Sequence, residues 1–262
     1  MTPSFNILGL AAAVLIVAPL LSASPTGVPG VEVVQTRKIT AWDGCSKSNK
    51  AKLEKDFKNA AELAQYAHDH MKMTDKAWTH YFRAKDEKNV KNLWDAVAKY
   101  EANDYSFTVR CAAKDDADCK VHGGSSFAAT DPKPEEKGKP RELKVCPKYF
   151  TDEATKQSMD AKKYEPGKRG SWCKLAPYKF KDFSVGGLVL LHEITHLDAV
   201  GIKAKLPNMK QPAQAGSGAS QYVDEGHSPR DTIEPWQNAE STAAAALEKW
   251  VMDKCKYDDI EV

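Results

Sequence analysis

The chain has 262 residues and a formal net charge of +2, from 38 Lys and Arg against 36 Asp and Glu. That length supports one sizeable buried core, and so even a charge balance gives no reason to expect a polyanionic partner such as nucleic acid or an acidic membrane surface. Six cysteines, an even number with no CxxC pair among them, argue against a zinc ribbon or a thiol redox motif and for three disulfides in an oxidising compartment.

Residues 1–23 read as a signal peptide. The apolar run from Ile7 to Leu21 is about 15 residues, short of the roughly 20 that span a bilayer, and it ends in the small residues Ser22, Ala23 and Ser24. No Lys or Arg precedes Arg37, so the usual basic start is missing. Export to the extracellular space, with no membrane association after cleavage, is the expectation. Residues 24–38 are rich in Pro, Gly and Val without helical period, and read as either a short pro-segment or an N-terminal extension. No Asn-x-Ser/Thr sequon occurs.

From Ser48 to about Met71, and again from Thr74 to about Tyr100, apolar side chains recur every three or four residues: Phe57, Leu63, Ala64 and Ala67, then Trp78, Tyr81, Phe82, Val90, Leu93, Trp94 and Val97. This predicts amphipathic helices. His68, His70 and His80 lie here without metal-ligand spacing, and read as solvent-facing helical histidines. Between Tyr105 and Phe150 the pattern changes to β-prone Tyr105, Phe107, Val109 and Cys111, a turn at Gly123 and Gly124, and a second extended run from Leu143 to Tyr149. A small hairpin-rich sheet is predicted, with His122 in a turn and Asp131 to Lys139 as a solvated loop.

The segment Ser184 to Val200 reads SVGGLVLLHEITHLDAV. Val185, Leu188, Val189, Leu191 and Ile194 predict a helix too apolar for the surface. His192 and His196, four residues apart, project from one face, where two imidazoles can share one Zn²⁺ at about 2.0 to 2.1 Å. Glu193 lies about 100° round the helix from His192, placed for proton transfer rather than ligation. This is the HExxH arrangement, in which the metal polarises a scissile carbonyl and the carboxylate takes a proton from the attacking water. A third protein ligand is then required. After the helix comes a Gly, Ala, Ser and Pro-rich stretch and then QYVDEGHSPRD, which offers Asp224, Glu225, His227 and Asp231. Glu240 is a further candidate, because a Glu on a later helix completes the site of thermolysin-like enzymes. Asp198 faces away from the histidines, and the HExxHxxGxxH spacing of metzincins is missing, since Ala199 and Ile202 stand where Gly and His would be.

HEITH, a downstream Asp in a Gly/Ser-rich, Tyr-containing loop, the QNAES segment Gln237 to Ser241 and VCPKYF at Val145 to Phe150 together resemble the deuterolysin-type metalloendopeptidases, or aspzincins, which are secreted fungal enzymes. The resemblance spans Cys45 to Trp250. It implies a zincin-like α+β fold, mainly helical with a small sheet and a buried HExxH helix, and one Zn²⁺ held by two His and an Asp. By position the Asp role falls on Asp224, with Asp231 and Glu240 as alternatives. Tyr222 would take the part of the Tyr that assists the oxyanion. The family's GTxDxxYG is altered here: GASQYVDEGH lacks the Thr and puts Tyr222 before the Asp. The resemblance also implies the pairings Cys45–Cys111, Cys119–Cys146 and Cys173–Cys255. Residues 39–262 then form one metallopeptidase domain, helical over about 48–103 and catalytic over about 104–262, acting as a monomer on protein or peptide substrates. The alternative is a catalytically impaired binding or effector protein on the same scaffold.

Overall fold

The computed structural model describes residues 39–101, 106–120, 126–131, 140–156, 159, 172–174, 176–206 and 234–262. The expected signal peptide, the 24–38 segment, His122, most of the Asp131 to Lys139 loop and the whole of 207–233 lie outside the described residues. The described residues form an α+β fold with a four-stranded sheet.

Strand β1, Ile39–Asp43, leads into the 24-residue helix α1, Lys47–His70. The turn between them needs Gly44, whose φ of +66° and 2.9 Å approach of an added Cβ to the Cys111 carbonyl leave no room for a side chain. Ser46 caps α1 by accepting from the Asn49 amide at 3.2 Å. Its apolar stripe of Leu53, Phe57, Ala60, Leu63, Ala64 and Ala67 is buried. The second predicted helical stretch is interrupted: α2, Lys76–Thr79, is followed by a 3₁₀ turn at Ala84–Asp86 and then α3, Glu87–Ala98. Asp86 turns its carboxylate back to accept from the Arg83 amide at 2.9 Å, which starts a new segment there.

The sheet order is β1-β2-β4-β3, with β2 at Phe107–Cys111, β3 at Ala128–Asp131 and β4 at Arg141–Val145. β1 pairs parallel with β2, and β2 parallel with β4; only β3 and β4 are antiparallel. The sheet is therefore mixed rather than hairpin-rich, because α1 to α3 carry the chain across between β1 and β2 and return it in the same direction. The extended run expected over Leu143 to Tyr149 stops at Val145, and Pro147 opens helix α4, Pro147–Thr151, where its missing N–H costs nothing. A short α5, Glu153–Lys156, follows. Phe57 of α1 meets Trp42 and Phe107 of the sheet at ring-centroid distances of 6.1 and 5.8 Å, which joins helix layer to sheet.

The stretch predicted as one helix from Ser184 to Val200 is two: α6, Gly186–Thr195, and α7, Asp198–Lys203, separated by Leu197 in an extended conformation. α8, Ala239–Cys255, is capped by Asn238, which accepts from the Glu240 amide at 3.0 Å. α6 packs against both α1 and α8, and β3 also touches it. Ala243 to Ala246 of α8 are fully buried. Three disulfides, Cys45–Cys111, Cys119–Cys146 and Cys173–Cys255, have the pairing implied by the resemblance. Among the described residues no helix is long and apolar enough to cross a membrane.

Candidate functional site

HEITH occupies the C-terminal end of α6. Leu190, Leu191 and Ile194 sink that helix into the core, and Gly186 and Gly187 let its first turn lie against Asp56, Asn59 and Ala60 of α1. His192 sits on the last turn and His196 at the C-cap. One helical turn apart, their Nε2 atoms face each other at 3.0 Å, with the rings edge-on at 75°. Two such nitrogens at this separation require either a proton or a cation between their lone pairs. This donor pair fits a borderline metal such as zinc.

The other nitrogen of His192, Nδ1, lies 2.7 Å from Oε2 of Glu240 in the first turn of α8. Burial by itself would depress the His192 pKa, but Glu240 and the charge of Glu193 outweigh it and raise the value. Glu240 responds in the opposite sense: burial pushes its carboxyl up, and His192 pulls it below the ordinary range. Glu240 thus lies beside Nδ1 while Nε2 faces His196, a close contact of charge in which Nδ1 makes no well-formed hydrogen bond. His196 and Glu193 are buried, and the His192 side chain is 22 % exposed.

Glu193 has a partner that sequence reading did not identify. Thr130 on β3 places its hydroxyl 2.7 Å from Glu193 Oε2 and 3.0 Å from the Glu193 carbonyl. Burial raises the Glu193 pKa, against the opposing pull of His192 and of the Thr130 hydrogen bond. No sequence signal tied Thr130 to a helix 63 residues further along the chain. Asp198 is engaged by the Arg141 guanidinium. Asp224, Tyr222, Glu225, His227 and Asp231 lie outside the described residues.

Among the described residues one group of three, His80, Glu248 and Asp259, brings ligand atoms within 4.8 Å of one another and could hold a metal ion. The expectation that His80 is a solvent-facing histidine is thereby corrected. α2 lies against α8, and the His80 side chain is only 14 % exposed, turned onto Glu248. His70 is exposed as expected, and its ring meets Tyr66 at a tilt of 45°. Comparison with known proteins finds no family model that matches the chain and no curated protein that matches it.

Proposed function

We propose that this chain is a secreted zinc-dependent endopeptidase of zincin-like fold, with α6 as its active-site helix. The observation that carries the reading is the convergence of the His192 and His196 Nε2 atoms at 3.0 Å beside the buried carboxylate of Glu193. His192 and His196 are the metal ligands, and Asp224 completes the set, with Asp231 as the alternative. Glu240 is the other alternative, and its carboxylate, 2.7 Å from His192 Nδ1, also supports a charged or metal-bound His192 through its charge.

Zinc bound at this site would supply Lewis acidity to the scissile carbonyl and lower the pKa of the attacking water. Glu193, its proton affinity raised by burial, accepts the proton of that water and returns it to the leaving amine. Thr130 holds the Glu193 carboxylate in place, and Tyr222 serves the developing oxyanion. Three disulfides and the apolar segment at the N-terminus support export. The likeness of HEITH, QNAES and VCPKYF to the deuterolysin type supports a monomeric enzyme acting on proteins or peptides.

The test is cleavage of a quenched mixed-peptide library by wild type and Glu193→Gln, with zinc content measured in both. Wild type is expected to cleave and to stop on chelation, and Glu193→Gln to keep its zinc while losing about 10³-fold in rate. Zinc in both with cleavage by neither would make the chain a binding or effector protein on this scaffold.

A further inference from the structure

We infer that His80 and Asp259, backed by Glu248, form a second divalent-metal site that fastens the C-terminal tail to α2 and α8. His80 is the residue directly after α2, and Glu248 is on α8. Asp259 belongs to the tail beyond that helix.

The Glu248 side chain is fully buried. One of its oxygens accepts from the Tyr81 hydroxyl at 2.8 Å, and the other lies 2.7 Å from His80 Nδ1. A carboxylate removed from water in this way demands positive charge close by. When Nδ1 donates to Glu248, the lone pair of the imidazole is on Nε2, and Nε2 faces Asp259 Oδ1 at 3.5 Å. This is the order carboxylate, histidine, metal, in which the buried acid fixes the tautomer and strengthens the ring as a ligand.

The 3.5 Å separation is itself informative. It is long for a hydrogen bond, yet it matches two donor atoms that each lie about 2.0 to 2.2 Å from one ion at a near-tetrahedral angle. Lys76 also pairs with Asp259, but loosely, its ammonium 3.9 Å from Oδ2 on a side chain that is 59 % exposed. The Ile260 amide donates to Asp259 Oδ1 at 2.9 Å, which holds the carboxylate in position. One imidazole nitrogen and one carboxylate oxygen, with water completing the shell, suit zinc, cobalt or nickel and not calcium, which takes oxygen ligands.

The site is separate from His192 and His196, so it is tested with those two removed. The purified chain carrying His192→Ala and His196→Ala is titrated calorimetrically with Zn²⁺ and with Co²⁺. One ion per chain is expected to bind, and adding Asp259→Asn to this background is expected to weaken binding at least about tenfold. His80→Gln should abolish it, but that change also strips buried Glu248 of a partner. The deciding variant is therefore Asp259→Asn, at a half-exposed tail position, with its fold checked by circular dichroism. No binding in the double-alanine background overturns the assignment, and so does zinc retained at full affinity in Asp259→Asn. Neither result bears on whether the intact chain cleaves peptides.

Discussion

At the scale of single residues, the candidate site depends on side chains that act on other side chains. Thr130 anchors the Glu193 carboxylate from the strand β3, so Thr130→Val should lower kcat about tenfold with little change in KM, whereas Thr130→Ser keeps the hydroxyl and most of the rate. Steady-state kinetics on one peptide distinguish the two. A second buried pair acts on stability instead. Tyr149 donates to Asp56 at 2.8 Å, and burial, followed by the Asp56 charge, lifts its pKa well above the ordinary value. The folded chain thus holds the phenolic proton more tightly than the unfolded chain, whose Tyr titrates near about pH 10. The resulting stabilisation is complete below that pH and is lost as pH rises through the folded value. Urea midpoints should fall more steeply above pH ~10 in wild type than in Tyr149→Phe, and equal slopes would refute the assignment. Tyr66 and Tyr257, also raised, contribute equally to both proteins.

At the scale of elements, the approach of α6 to α1 is the contact that fixes the height of the histidines. A Cβ on Gly187 would lie 2.8 Å from Asn59 Cβ and 3.2 Å from the Ala60 backbone nitrogen. Neither is the loose end of a side chain, so Gly187→Ala should cost about 1 to 3 kcal/mol in urea unfolding. An unchanged midpoint would mean that the two helices separate freely. The periodicity of Phe57, Leu63, Ala64 and Ala67 made α1 legible in the sequence, and the alanine-rich stretch did the same for α8. β1 was not legible, because five residues with an irregular burial pattern carry no alternation to detect. The break at Leu197 was hidden as well, since apolar periodicity continues past it.

At the scale of the molecule, the bridges close long loops. Cys173–Cys255 spans 82 residues and ties the end of α8 to the segment that precedes α6. Replacing both cysteines with Ser should cost about 4.5 kcal/mol by the chain-entropy relation, read as a lower urea midpoint. Loss of less than about 1 kcal/mol would mean that tertiary packing alone holds the tail there.

The sequence by itself determined what is local: helix stripes, the even cysteine count, and the four-residue spacing that puts His192 and His196 on one face. Those features depend on period and composition, which a chain carries whatever its partners. Tertiary structure alone decided that Thr130 meets Glu193, that Glu240 meets His192 through Nδ1, and that His80 turns inward to Glu248 and Asp259. Each of these contacts joins residues far apart in sequence, and no local propensity encodes which distant segment packs opposite. The parallel order of β1, β2 and β4 was settled in the same way, by crossovers through helices rather than by the strands' own residues.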